Sequence, residues 1–274
     1  MKIAFVGAGN MAAALIGGVI GQGIDPRHVL AVDPNDAARE RCVTAFGIDA
    51  CDGVDARIAT YDVIVLAVKP QMLKDVCHRL ASELRSQLII SVAAGVRLTD
   101  LCQWLGGYTQ IVRAMPNTPA LIGKGATGAF ASAEMGEKER STASKLLESV
   151  GTVVWFDDEA MLNAVTAISG SGPAYVFYFI ECLQEAAQAL GLSEAQGQAL
   201  AIATFSGAAE LAAASSESVA VLRDRVTSKG GTTAAALSSF EASGVRAAII
   251  RGALAANQRS IELGDELGVG SARK

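Results

Sequence analysis

The stretch Lys2-Ile3-Ala4-Phe5-Val6-Gly7-Ala8-Gly9-Asn10-Met11-Ala12-Ala13-Ala14 decides how the chain is read. A short apolar run rich in branched residues ends in Gly-x-Gly-x-x-Ala and passes into an Ala-rich helical segment. Strand, tight glycine turn and helix start are the opening of a dinucleotide-binding βαβ unit. Each small residue has a physical task. Gly7 permits the turn, Gly9 has no β-carbon and lets backbone approach a pyrophosphate, and Ala12 lets the helix sit on the strand. The unpaired N–H groups of the helix start, at the positive end of its dipole, then face the phosphates. The competing reading of the same glycines is tight packing alone.

Composition narrows the class. A chain of 274 residues is long enough for one large domain or two modest ones. The net charge is −5, with no basic run, which argues against nucleic acid as a partner. Ile3 to Ile24 and Ala160 to Ile180 are uncharged enough to imitate a leader or a membrane span. Glycines interrupt the first, and Ser169-Gly170-Ser171-Gly172-Pro173 breaks the second, so neither a targeting nor a membrane segment is expected. The five cysteines are scattered, odd in number and without a C-x-x-C pair, as in buried thiols of a reducing cytoplasm.

Outward from the glycine turn, strands and helices alternate. His28 to Val32 reads as a second strand, and Asp33 at its end is placed to accept from an adenosine ribose hydroxyl, or else Asp33-Pro34-Asn35-Asp36 caps the next helix. A short strand is expected near Ile48, a buried parallel strand over Asp62 to Val68, and a helix after Lys69 with Pro70 at its first position. Leu88 to Val92 is another strand, and Ala93-Ala94-Gly95 stands at its carboxyl end, where such sheets bind ligands. Gln110 to Ala114, Gly125 to Ala131, a helix from Glu137 and Thr152 to Phe156 complete a Rossmann-type α/β domain over residues 1–158. From Glu159 only helical periods remain, which makes residues 159–274 an all-α domain. Helices such as Ala199 to Ala209 are apolar on most faces and need cover on all sides, so this half is expected to dimerise.

Catalytic groups are scarce. The two histidines, His28 and His78, lie in the nucleotide half, no cluster has metal-ligand spacing, and no G-x-S-x-G occurs. Between Lys145 and Lys229 there is no lysine, which disfavours a hydroxyacid dehydrogenase with a catalytic helix lysine. A reductase without an obvious acid suits an imine, whose own nitrogen carries the proton. Thr227-Ser228-Lys229-Gly230-Gly231-Thr232-Thr233 stands directly before a helix and reads as a seat of backbone N–H groups for a carboxylate, or as an ordinary turn and cap. The enzymatic alternative is another small-carbonyl or imine reductase of this two-domain plan. A non-catalytic NAD(P) sensor would have no need of the carboxylate seat.

With these motifs in order the chain resembles the pyrroline-5-carboxylate reductase family. The resemblance runs through Gly7 to Ala12, Ala67-Val68-Lys69-Pro70, Ala93-Ala94-Gly95-Val96, Arg113-Ala114-Met115-Pro116-Asn117-Thr118-Pro119, Ser169 to Tyr175 and Gly230-Gly231-Thr232-Thr233. It implies reduction of 1-pyrroline-5-carboxylate to L-proline by NADPH or NADH, the last step of proline biosynthesis, in a homodimer or a ring of dimers. On this reading Gly7, Ala8, Gly9, Asn10 and Met11 hold the pyrophosphate, and Asp33, Pro34 and Asn35 lie near the adenosine ribose. Val68, Lys69 and Ala94 line the nicotinamide side, and Pro70, Ala93 and Gly95 belong with them to the cofactor-binding residues. Ser228 and Gly230 to Thr233 hold the substrate carboxylate, with the Thr233 hydroxyl near the ring nitrogen as the catalytic group. Two positions depart from the family pattern: Lys229 and Val219 stand where proline is usual, which loosens the loop while Lys229 adds positive charge beside it.

Overall fold

The computed structural model describes residues 1–132 and 134–268. The chain forms two compact units, one of Met1–Ser171 with the stretch from Ala256 onward, the other of Gly172–Ala255. The sequence grammar changes at 158/159, where strands end. Compactness divides the chain later, and the last helix begins in one unit and finishes in the other.

The first unit alternates β1 (Ile3–Val6), α1 (Asn10–Gly21), β2 (Val29–Val32), α2 (Asp36–Phe46), β3 (Asp49–Cys51), β4 (Val63–Leu66), α3 (Pro70–Leu80), β5 (Leu88–Ser91), α4 (Leu98–Trp104), β6 (Ile111–Met115), β7 (Gly125–Ala131), α5 (Glu137–Glu148), β8 (Gly151–Trp155) and α6 (Met161–Val165). Among the described residues the eight strands lie in one sheet, in the order β3-β2-β1-β4-β5-β6-β7-β8. From β3 across to β6 the pairs are parallel, β7 runs antiparallel to β6, and β8 is parallel to β7. Strands β1, β2, β4 and β5 are buried at every residue, which is why they read as continuous apolar runs. Alternate side chains feed two cores. Phe5, Val65 and Ile90 join one with Leu15, Ile16 and Leu147, while Val6, Ile64 and Ile89 join the other with Leu73 and Leu80.

Strand order reverses at β1, with β2 and β3 on one side and β4 onward on the other, so a crevice opens at the carboxyl ends there. Gly7 makes that crevice possible. Its φ is +105°, and a β-carbon on it would lie 2.7 Å from the carbonyl carbon and oxygen of Ala67. Its N–H donates to Val32 O at 2.7 Å, and Ala67 N–H donates to Val6 O at 2.8 Å, so the three strand ends are tied at this point.

After α6 the backbone widens into a π-turn, Thr166–Gly170, and Ser171 N–H donates back to Thr166 O at 2.8 Å. The expected break at Ser169 to Pro173 is thus a widened helical turn followed directly by the next helix. Gly170 lies against the end of the Met115 side chain, whose Cε would be 2.5 Å from a β-carbon placed there. The five cysteines are unpaired, and burial pushes the Cys77 thiol up to about 12, leaving it protonated and inert.

The second unit contains α7 (Gly172–Ala189), α8 (Glu194–Ala214), α9 (Val219–Arg225), α10 (Thr232–Ala242) and the larger part of α11 (Val245–Leu267). Gly191, with φ +91°, ends α7. The expected capping box starts α8, with Gln196 N–H donating to Ser193 Oγ at 3.3 Å and Ser193 N–H to Gln196 Oε1 at 2.9 Å. Gly197 brings the two helices together, since a β-carbon there would stand 2.9 Å from Ala187 Cβ. Phe177, Leu200 and Leu254 remain 65%, 58% and 63% exposed, a large apolar surface for one copy of the chain. Among the described residues no helix is long and apolar enough to cross a membrane.

Gly7→Ala should lower stability by about 1–3 kcal/mol, from a left-handed backbone and a clash with rigid strand. Denaturant unfolding measures this, and a wild-type midpoint would contradict the contact.

Candidate functional site

The candidate nucleotide residues all fall at the carboxyl edge of the sheet. Gly9 is the N-cap of α1 and, lacking a side chain, leaves the first-turn N–H groups of Asn10, Met11 and Ala12 without a side-chain cap. The first helical bond comes a residue later, Ala13 N–H to Gly9 O at 2.9 Å. A β-carbon on Gly9 would meet nothing within 4 Å, so the space in front of it is open, whereas Ala8 and Ala12 are buried. An uncapped helix start facing open space at a switch point fits a pyrophosphate.

Asp33 does more than the sequence reading assigned to it. Its Oδ2 accepts from Ala8 N–H at 2.8 Å and its Oδ1 from Asn35 N–H at 2.9 Å. The carboxylate therefore latches the glycine turn to the loop after β2. Capping of α2 falls to Asn35, whose Oδ1 accepts from Ala38 N–H at 3.0 Å. Arg39 Nη1 donates to Asp33 O at 2.6 Å and also pairs with Asp36. With Ala8 N–H already engaged, Asn10, Met11 and Ala12 are the donors left to an anion at this turn. Pro34 and Asn35 are exposed beside it.

Along the same edge, Val68 is half-buried, Lys69 is the exposed N-cap of α3, and Pro70 is its first residue. Ala93 and Gly95 are buried and Ala94 half-buried in the turn after β5. Two further side chains fix this region, and only the folded chain reveals them. Glu159 Oε1 accepts from Leu98 N–H at 2.6 Å and from Arg113 Nη1 at 2.9 Å, with the Arg113 side chain only 5% exposed. Asn117 donates to Ser169 O at 3.1 Å and to Ser169 Oγ at 3.2 Å, while its Oδ1 accepts from Ala126 N–H at 2.8 Å. Asn117 therefore ties two of the quoted motifs together. Glu159 is separated from its partners by 46 and 61 residues, so no local pattern marks it.

The second group of candidates, Ser228 and Gly230 to Thr233, lies in the other unit. Gly230 has φ +73°, and Gly231 is the N-cap of α10. A β-carbon on Gly231 would lie 2.4 Å from Ser228 Oγ, and its N–H closes the turn on Ser228 O at 3.0 Å. Thr232 and Thr233 are the first two helical residues, no side chain caps them, and the first turn holds no acidic residue. The capping alternative for Thr233 therefore fails, because the cap position belongs to Gly231. Lys229 is exposed on the turn. Among the described residues no group of His, Cys, Asp and Glu could hold a metal ion.

A doubly wound sheet with an uncapped, glycine-rich turn at its switch point, joined to a helical unit, defines a dinucleotide-dependent oxidoreductase of the Rossmann type. Residues 2–95 match the family model described as NADP oxidoreductase coenzyme F420-dependent, and residues 159–263 match pyrroline-5-carboxylate reductase dimerisation. A pyrroline-5-carboxylate reductase of Pseudomonas aeruginosa is 46% identical over 268 residues, 97% of this chain and 98% of that one. The structure of such a reductase from Coxiella burnetii is similar at TM-score 0.89 and 38% identity, covering 96% of this chain and 98% of that one. A Plasmodium falciparum pyrroline carboxylate reductase, solved with NADP bound, superposes at TM-score 0.85 and 29% identity with the same coverage. The chain belongs to the pyrroline-5-carboxylate reductase family.

Two variants test the nucleotide edge. Gly9→Val should fold with near wild-type stability, because its β-carbon meets open space, yet lose NAD(P)H binding by fluorescence titration; wild-type affinity would move the site elsewhere. Asp33→Ser should weaken both cofactors by freeing the glycine turn. It should also raise the NADPH-to-NADH ratio of kcat/KM by about fivefold, the size of one partly screened charge contact. An unchanged ratio places the carboxylate away from the ribose 2′ position.

Proposed function

We infer that the chain reduces the C=N bond of 1-pyrroline-5-carboxylate to L-proline with NADPH or NADH, as a dimer or ring of dimers built through its helical unit, in the cytoplasm. The observation that carries the substrate reading is the start of α10. Its N-cap is a glycine, its first turn has neither a capping side chain nor an acid, and Lys229 stands on the turn before it. Such a helix start favours a small anion, and the substrate has a single carboxylate. Five unpaired cysteines suit a reducing compartment. The exposed apolar residues of the second unit supply a surface for self-association.

Gly7 to Met11 hold the pyrophosphate, with the N–H groups of Asn10 and Met11 as its donors. Asp33, Pro34 and Asn35 border the adenosine ribose, and Val68, Lys69, Pro70, Ala93, Ala94 and Gly95 line the nicotinamide side. When bound, the reduced nicotinamide supplies the hydride. Ser228 and Gly230 to Thr233 fix the substrate by its carboxylate, which leaves the ring one rotation to lose before the imine carbon is in line. The Thr233 hydroxyl hydrogen-bonds the ring nitrogen as that nitrogen changes from iminium to amine. No stronger acid is required, because the protonated imine brings its own proton. The chain provides no alternative in α7, which has no lysine for carbonyl polarisation.

Thr233→Ala should lower kcat/KM by about 10- to 1000-fold, roughly 1.4 to 4 kcal/mol, as expected of one hydrogen bond to a reacting group. Because Thr233 is not the cap, its melting temperature should stay at the wild-type value. Wild-type turnover in the variant would remove Thr233 from the chemistry.

A further inference from the structure

The turn after β5 is backed by the end of α11, and this contact is tighter than packing of ordinary side chains would be. Gly95, at φ +79°, sets the turn, and Gly264 on α11 faces it within the same compact unit. A β-carbon on Gly264 would stand 3.0 Å from Gly95 O, 3.3 Å from Arg97 Nη2 and 3.4 Å from Arg97 Nε. In the other direction, a β-carbon on Gly95 would meet Leu263 Cβ at 3.4 Å and Gly264 N at 3.7 Å. The Gly95 carbonyl therefore packs close against the α11 backbone at Gly264, with Arg97, Leu263 and Leu267 around the contact.

Three bonds hold the turn and the helix in this register. Arg97 pairs with Asp265, Leu98 N–H donates to Glu159 at 2.6 Å, and Ser260 Oγ donates to Asn163 Oδ1 at 2.9 Å. Ser260 is 3% exposed, so the last of these is a buried anchor of α11 on α6. Leu267 packs against the apolar core to which Val96 and Leu101 belong. The turn is thus braced by α11 and by Glu159, with a small cavity left between Gly95, Arg113, Asn163 and Gly264.

We propose that Gly264 is a positioning residue for the reaction: its missing side chain sets the height of the Gly95 peptide, and with it the nicotinamide end of the cofactor site. The inference rests on the reading that Ala93, Ala94 and Gly95 line the nicotinamide side. A methyl group at Gly264 would stand 3.0 Å from the Gly95 carbonyl oxygen, a backbone atom with no rotamer to change, so the Gly95 peptide itself gives way by a few tenths of an ångström. Displacements of that order at a reacting centre cost rate and affinity out of proportion to their size. The adenosine end, held by the turn after β1, is untouched.

The test is Gly264→Ala, titrated with NADH and separately with ADP-ribose, which lacks the nicotinamide, with melting temperature measured on the same preparation. Alanine suits a helix interior better than glycine, so the fold survives the change. The expected result is NADH binding weakened by about 10-fold, ADP-ribose binding as in the wild type and a melting temperature within a few degrees. NADH binding at wild-type strength overturns the proposal, and so does equal weakening of both ligands, which would be general damage. Ala94→Leu, in the turn itself, separates the two layers of the claim. If it leaves NADH affinity unchanged, the nicotinamide reading of the turn fails; if it weakens NADH while Gly264→Ala does not, only the positioning role of Gly264 fails.

Discussion

The approach of Gly7 to the Ala67 peptide is the contact on which the first unit depends. It brings the ends of β1 and β4 together where the strand order reverses, and no residue with a β-carbon fits there. With the turn fixed, α1 starts at a defined place and points its uncapped first turn at the sheet edge. Asp33 then fastens that turn to β2 through Ala8 N–H, so that the second strand end inherits its position from the first. A single steric requirement and one carboxylate thus order three loops. The energy of the carboxylate latch is modest, of the order of one charge-assisted hydrogen bond. Its effect lies in geometry, since it keeps a negative charge fixed beside the glycine turn.

Two helix starts in this chain share one design. Glycine is the N-cap, with no capping side chain, at α1, α5 and α10, but α5 carries Glu137 and Glu139 in its first turn while α1 and α10 have no acid there; α2, α8 and α9 are closed by Asn35, Ser193 and Ser218. A capping side chain satisfies the N–H groups of the first turn and shields them. Glycine leaves them to an external acceptor, and a pyrophosphate and a carboxylate are the acceptors for which such starts are suited. The scarcity of acid–base side chains in the sequence fits this arrangement. An imine reduction needs orientation and anion recognition more than a strong proton donor.

The parts legible in the sequence were those written locally. The buried strands showed as continuous apolar runs, the glycine turn as a spaced motif, and the α8 start as a capping box. Register at the short strand β3 was less clear: it begins at Asp49, just after the Ile48 that marked it, because Ile48 is buried in the core beside it. Asp33 was found as a site residue, but its partners, 25 and 2 residues away, were not, since a carboxylate in sequence does not declare whether it faces a ligand or backbone. Glu159 and Gly264 escaped altogether. Each acts across more than 40 residues, Glu159 on Leu98 N–H and the Arg113 side chain and Gly264 on the Gly95 carbonyl, and no local pattern records partners so distant. The π-turn was hidden for a related reason. Ser169 to Pro173 has loop composition, yet it forms a widened helical turn to which Asn117, more than 50 residues away, donates at Ser169.

The reducing equivalent passes from C4 of the dihydronicotinamide to the imine carbon of the substrate. Cofactor deuterated at C4 of the dihydronicotinamide, incubated with this chain and 1-pyrroline-5-carboxylate, should yield proline with one deuterium on the ring carbon that was doubly bonded to nitrogen and none on the carbon bearing the carboxylate, as read by NMR and mass spectrometry. Proline without label at that carbon, or cofactor oxidation with no labelled proline, would contradict it.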